Sequence, residues 1–386
     1  MPSPRPAGRD APLAAWSLPH GAHLALCLAL CAGRGRQAVV QRDAPGGMLA
    51  GAIASGLEPH WLAPEIDTLA GVAHGVVPGA LDAALAAAPA ARAAVIVAPA
   101  LHGAIPDVGA LVAVAHGHGA ALVADASHAA DPRLPAALLA AGADLVVAAE
   151  VPPPGGPPAL VGGVLLHGDE TERWLPLAAV ERAAALAGGH AAGDRDVPWT
   201  EDVTAVAAAR ERLTGAPGVR VLGPSLAGTP GVAAYDRLRL AVDVRQTGRD
   251  ARAVARALAV PPAAASTRHL VAAPGTAGRF AAALLDTLWS VAPADLPAAP
   301  VSAAPPGPAA CTPRAAWLAP REHVPPAAAV GRIAAEALTP CPPGVPAVLP
   351  GERLVPDVLA TLRAAPAVHG ADDGFATIAV VAERRR

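Results

Sequence analysis

The chain has 386 residues, 53% hydrophobic but only 2% aromatic, so its core must rest on Ala, Val and Leu rather than on rings. A formal charge of −3 leaves no basic footprint for nucleic acid, and four cysteines in a chain this long do not make a disulfide framework. All 29 basic side chains are arginine. The coding bias of a GC-rich genome accounts for that on a surface, but not at a position where chemistry needs an amine.

Residues 1–15 read as a disordered N-terminal tail. The apolar run 24–32 follows Arg5 and Arg9, the polarity of a signal peptide. However, Asp10, Pro19, His20 and His23 interrupt the approach, and no small-x-small cleavage site follows. The run is too short to span a bilayer. It reads as a buried core helix of a cytoplasmic protein that does not engage membranes, with Cys27 and Cys31 as ordinary thiols one helical turn apart.

From 16 to 214 helix-like and strand-like segments alternate. Helices are predicted at 24–31, 48–55, 81–88, 107–116 and 134–140. Strands are predicted at 37–41, 93–98, 121–125, 144–148 and 160–167. Short, fully apolar strands separated by helices indicate an α/β unit with a mainly parallel sheet covered on both faces. Ligands of such sheets sit at the carboxyl ends of strands, and Asp125 ends one. Residues 171–213 read as helical. A smaller α+β domain is expected over 215–292, with strands at 219–222 and 238–244 and a helix at 250–258. The Pro/Ala-rich stretch 293–327 reads as an extended connection, and 328–386 as a C-terminal unit opened by a helix at 327–335.

Three motifs compete with structural explanations. Gly33-Arg-Gly35-Arg-Gln-Ala38 spells a dinucleotide fingerprint, but a helix precedes it and a strand follows, the reverse of what the fingerprint needs. His116-Gly-His118 ends a helix, where His is favoured by the dipole, and lacks a third ligand, so no metal is expected. Asp125-Ala-Ser-His128 follows a buried strand and is the most specific local cluster.

The order of these segments resembles the Orn/Lys/Arg decarboxylase family, pyridoxal-phosphate (PLP) enzymes of fold type I. The resemblance runs from the strand and helix of 93–128 through Leu134-Pro-x-x-Leu138 and Gly142-Ala-Asp144-Leu-Val-Val147 to Leu165-Leu-His167. It resumes at Pro313-Arg-Ala-Ala, Ala319-Pro-Arg321, Pro340-Cys-Pro-Pro-Gly-Val-Pro346 and Pro350-Gly-Glu352. The resemblance implies a PLP-dependent transferase-like large domain, a smaller α+β domain and a decarboxylase-like C-terminal unit. It also implies amino-acid decarboxylation, a carbon–carbon lyase activity, in a dimer.

Carried over position by position, the resemblance makes Asp125 the partner of the cofactor's pyridine nitrogen and places His128 beside it. His102 takes the place of a family Tyr near the cofactor. The other cofactor positions depart from the pattern. The phosphate-binding Gly-Ser-Thr turn is replaced by Leu18-Pro19-His20-Gly21. The run carrying the ring-stacking His is replaced by Pro45-Gly46-Gly47. The Schiff-base lysine position is Pro152, and the Ser/Thr-Pro-Ser segment has no match near Val197-Pro198-Trp199. Arginine elsewhere cannot substitute, because its guanidinium stays protonated.

These departures imply a degenerate homologue with no bound cofactor and no catalytic residue to assign. Such a chain would be retained as a binding partner, in a homodimer or in a hetero-oligomer with an intact paralogue. The alternatives are a decarboxylase-like lyase using pyridoxamine phosphate or other chemistry around Asp125, His128 and His102, and a decaying copy.

Overall fold

Two apolar sets alternate along the central strands, and this alternation builds the main sheet. Val39, Ala94, Ile96, Leu122, Ala124 and Val146 belong to the core on one face. Their neighbours Ala38, Val40, Val95, Val123, Leu145 and Val147 belong to the core on the other. In the computed structural model, residues 14–18, 22–32, 36–149, 163–167, 171–186, 190–192, 203–294, 305–371 and 375–383 are described.

The elements of this first unit run β1 (Ala14–Leu18), α1 (Ala22–Ala32), β2 (Gln37–Gln41), α2 (Gly46–Ser55), β3 (Glu58–Leu62), α3 (Pro78–Ala87), β4 (Ala93–Val97), α4 (Val108–Gly117), β5 (Ala121–Ala126), α5 (Leu134–Ala140), β6 (Leu145–Ala149), β7 (Gly163–His167), α6 (Thr171–Trp174), α7 (Leu177–Leu186) and β8 (His190–Ala192). The sheet order is β8-β1-β7-β6-β5-β4-β2-β3. The five strands from β6 to β3 are parallel, and β7, β1 and β8 join antiparallel. Core residues of α1, α2 and α7 lie on one face and those of α3, α4 and α5 on the other.

This is the expected α/β layering, with three unexpected strands: β1, which begins at Ala14 inside the stretch expected to be a disordered tail and pairs with β7 and β8, and the two edge strands β3 and β8. β3 carries Glu58 and Pro59 and shows no apolar alternation, and a sheet edge is where a proline is tolerated. β8 lies inside the stretch predicted to be helical throughout. Its Ala-rich sequence gave no period-2 signal.

The second unit consists of α8 (Val203–Thr214), β9 (Arg220–Leu222), β10 (Ala241–Asp243), α9 (Ala251–Ala257), β11 (Ala264–Ala265), β12 (His269–Val271) and α10 (Ala277–Thr287). Its antiparallel sheet has the order β9-β10-β12-β11. The helices pack around Phe280, which is fully buried.

The third unit corrects two expectations. The stretch 293–327, expected to be extended, contains helix α11 (Pro313–Leu318) and strand β13 (Arg321–Val324). Thr312 caps α11 by accepting from the Ala315 N–H, and Pro313 suits the first helical turn. The helix expected at 327–335 is absent: Ile333 and Ala334 make isolated β-bridges instead. The helix of this unit is α12 (Pro356–Ala364), and Ile378–Val381 forms β14, which pairs with β13.

Two arginine contacts fasten this unit to the first. Arg314 donates to the Ile53 and Ala54 carbonyls at 2.7 Å each, satisfying acceptors at the end of α2. Arg42, just after β2, is 4% exposed and grips Glu352 with both terminal nitrogens at 2.6 Å. It also donates to the carbonyls of Pro346 and Ala347. Among the described residues no helix is long and apolar enough to cross a membrane.

Candidate functional site

The carboxyl ends of β2, β4 and β5 lie side by side, and the polar residues converge there. Asp125, the penultimate residue of β5, is fully buried. Its Oδ2 lies 2.7 Å from His23 Nε2, and its Oδ1 accepts the Ser127 N–H at 2.9 Å. His23 sits in the first turn of α1 with a side chain 16% exposed.

Burial is the largest single influence on Asp125 and would push its carboxyl up. The hydrogen bond and charge of His23, with the donors of Ser127, reverse it, and the carboxyl is held below its ordinary value. Burial likewise would push His23 down, but Asp125 raises it above the ordinary imidazole value. The two shifts agree in direction: each partner favours the charged form of the other.

The approach of His23 depends on glycine. A Cβ on Gly47, in the first turn of α2, would lie 2.7 Å from His23 Nδ1. A Cβ on Gly51, one turn on, would lie 2.8 Å from the His23 carbonyl oxygen and 2.9 Å from Cys27 Sγ. The α1–α2 contact is therefore close enough to hold the ring between α2 and the end of β5.

On the β2 side, Gln41 is fully buried and bridges two strands. Its Oε1 accepts the Val97 N–H at 2.9 Å, and its Nε2 donates to Asp43 Oδ1 at 2.9 Å. Asp43 is half-buried, and burial pushes its carboxyl up to about 6.

The remaining candidates lie toward the second unit. His128 is half-buried. Burial holds its ring below the ordinary imidazole value, with Arg239 and His23 acting the same way and Asp125 opposing. His102 is 9% exposed and packs edge-on against His269, the ring centroids 5.1 Å apart. Burial, then His269 and Arg239, depress it strongly, so it is neutral near pH 7. Arg239 is 4% exposed and donates to the His128 carbonyl. Tyr235 donates its hydroxyl to the His102 carbonyl and, at 3.0 Å, to that of Leu222.

The structure thus brings Asp125 and His128 into one neighbourhood and turns the His102 ring toward His269. Pro19, His20, Gly21, Pro152 and Val197-Pro198-Trp199 lie outside the described residues. Pro45 and Gly46 open α2 rather than presenting a ring. Reasoning from sequence missed His23, Gln41 and Asp43. The signal for His23 was a lone imidazole in the first turn of an otherwise apolar helix. His116 and His118 are not a metal pair: they bond separately to Asp144 at 2.9 Å and Asp82 at 2.7 Å. Among the described residues no group of three or more His, Cys, Asp or Glu could hold a metal.

The pair also tests whether a PLP ring fits. A pyridinium would bring one N–H cation to the Asp125 carboxylate. The His23 imidazolium already supplies that N–H and that charge from within the chain. No lysine exists in the sequence to hold an aldehyde. The residues present do not fit the group.

Comparison with known proteins adds the relationships. Residues 308–379 match the family described as Orn/Lys/Arg decarboxylase, C-terminal domain. Arginine decarboxylase of Halalkalibacterium halodurans is 27% identical over 91% of this chain and 78% of its own length. That of Bacillus subtilis is 25% identical over 92% and 78%. Among solved structures, the constitutive lysine decarboxylase of E. coli superimposes with a TM-score of 0.63 at 15% identity, over 95% of this chain and 70% of that one. A cystathionine γ-lyase of Micromonospora echinospora gives 0.51 at 18% identity over 70% and 82%. The fold is that of the PLP-dependent, fold-type-I decarboxylases and lyases.

Proposed function

Because this chain belongs to the Orn/Lys/Arg decarboxylase family, we propose that it is a non-catalytic member of it, retained as a binding or assembly partner. The observation that carries this reading is the His23–Asp125 pair at 2.7 Å, in which the carboxylate that would hold a pyridinium is neutralised internally. Two features support it. No lysine is present, and the Pro45-Gly46-Gly47 segment has no side chain able to stack on a ring. Losing such contacts together removes several interactions of about one to a few kcal/mol each.

The intact core argues that the fold is under selection for something. Both faces of the main sheet are filled, and the Arg42–Glu352 clasp is complete. In this family's fold the catalytic sites lie between subunits, so the partner that best fits the reading is a lysine-bearing homologue, with a homodimer as the other form. The protein acts away from nucleic acid and membranes, in the cytoplasm.

The experiment has two arms. Purified protein is mixed with PLP, scanned for the absorbance of a lysine-type adduct, treated with borohydride and weighed. The expected result is no adduct, and a trapped covalent species overturns the non-catalytic reading. Co-expression with a lysine-bearing homologue should give a mixed complex on size exclusion. Strictly separate peaks overturn the partner role while leaving the first conclusion intact.

A further inference from the structure

The second unit docks on the first across a buried group of imidazoles. Ala234 and Tyr235 pair antiparallel with Ile105 and Ala104, and the Asp236 N–H donates to the Gly103 carbonyl at 2.8 Å. The Gly75 N–H donates to the Gly231 carbonyl at 3.1 Å. A Cβ on Gly103 would lie 2.7 Å from the Tyr235 ring, so the absence of a side chain there lets the two units close up. His74, His102 and His269 are all buried around this contact. The first two belong to the first unit, and His269 opens β12 of the second.

The surroundings of each ring suit its neutral form. His269 Nε2 lies 2.8 Å from the Ala70 carbonyl, which can only accept, so Nε2 carries the proton. Its Nδ1 lies 3.2 Å from Ser266 Oγ, which already accepts the Arg268 and His269 N–H groups at 3.1 and 3.0 Å. With both lone pairs filled, the hydroxyl donates its hydrogen to Nδ1, and a proton on Nδ1 would meet that hydrogen. His102 packs edge-on against this same ring. His74 has no hydrogen-bond partner on either ring nitrogen, and Asp67 Oδ2 stands 3.9 Å from its Nε2.

Little negative charge is left to receive a proton. The charged and titratable groups facing His102 are His74, His128, His269 and Arg239. Those facing His269 are Asp243, Arg245 and Arg268, and Asp67 faces His74. Asp243 is already paired with Arg268 at 3.3 Å, and Asp125, the acid facing His128, with His23. Arg239 is itself buried, with Asp236 as the acid facing it. Burial above all holds His74, His102 and His269 below the ordinary imidazole value.

We propose that this junction is an acid-released latch, in which neutral His74, His102 and His269 keep the second unit on the first and their protonation frees it. The inference does not depend on whether the chain is catalytic. Above about pH 6.5 the rings are neutral whether the junction is closed or open, and pH has no effect through them. Below it the open junction takes up protons that the closed one refuses. Opening is then favoured about tenfold per pH unit for each proton taken up. His23 works the other way, because its raised value favours its closed surroundings in acid, but it lies at Asp125 and outside the junction.

The test is hydrogen–deuterium exchange of the full chain at pH 7 and pH 5, with rates corrected for the intrinsic effect of pH. Protection at 103–105 and 231–236 should fall about thirtyfold or more, the effect of at least one proton over one and a half pH units. Protection in β4 and α12 should persist. His102→Phe keeps an uncharged ring against His269, and His74→Leu removes no hydrogen bond. The double variant should lose about tenfold or more of the change, and His74→Leu alone still reduces it if His102→Phe misfolds. Unchanged protection at the junction, equal loss in all three units, or an undiminished change in the variants overturns the proposal.

Discussion

Replacing His23 with leucine removes the charge partner of Asp125 while keeping an apolar side chain of similar bulk. Breaking a buried ion pair from one side costs about 3–5 kcal/mol in a dry interior. The 16% exposure of the His23 side chain lowers that figure. A ceiling also applies, because the orphaned carboxyl can take a proton instead of remaining charged. For an acid with an ordinary value near 3.8, protonation at pH 7 costs about 4 kcal/mol, and at pH 5 about 1.6. The expected destabilisation is therefore about 2–4 kcal/mol at pH 7 and at most about 1.6 at pH 5.

The pH slope is the sharper readout. In the wild type, Asp125 is depressed, so its contribution is in place above 3.8 and is lost only as pH falls further. His23 is raised, so its contribution is in place below 6.5 and is lost as pH rises through the folded value. Between about pH 4 and 6.5 the pair therefore contributes a plateau. In the variant Asp125 is raised instead, and its stability falls with pH by up to about 1.4 kcal/mol per unit over the same window. Urea unfolding of both proteins at pH 4.5, 5.5 and 6.5 gives the difference, from which other titrating groups cancel. Adding Asp125→Asn should remove the slope. A difference that is flat across the window, or smaller than about 0.5 kcal/mol at pH 7, refutes the pairing.

Other perturbations probe the surroundings. Arg42→Met leaves Glu352 buried alone and should destabilise the clasp by about 3 kcal/mol in urea unfolding, and Arg42→Met with Glu352→Met should recover most of the loss. In Gly47→Ala the new methyl falls 2.7 Å from His23 Nδ1 and should displace the ring. The His23 titration followed by NMR should then move down toward 6.5, and an unchanged titration refutes the contact. Asp43→Asn should stabilise the protein by about 1–2 kcal/mol at pH 7.5, because a raised carboxyl opposes folding increasingly as pH climbs above 3.8 and fully above its folded value of about 6. The gain should vanish by pH 4. Tyr235→Phe strands the carbonyls of His102 and Leu222 and should cost about 1–2 kcal/mol by thermal melting.

The parallel core of the sheet was legible because its strands are buried on both faces and separated by helices of ordinary length. Segments 37–41 and 134–140 were placed to the residue. What failed was structure without a period. β3 has a proline and two charged or polar residues in five positions, and it is a strand because β2 offers an edge, not because its sequence demands one. The 293–327 stretch reads as extended by its proline content, yet Thr312 and Pro313 are an N-cap and a first-turn proline. At the site, Asp125 was legible from its place at a strand end. His23 was not, because its role is set by a residue 102 positions away and by the absence of a side chain at Gly47. Pairings across such separations leave no local trace.

The contact at Gly47 also orders what substitutions this corner can accept. Any side chain at 47 meets the His23 ring first, so position 47 cannot grow until His23 shrinks or turns. His23 cannot shrink without stranding a fully buried carboxylate. Each of the three residues thus holds the other two in place, and a single step away from the present arrangement is penalised at any of them. The corner behaves as a ratchet: a chain that has reached this triad returns only by changing several positions together.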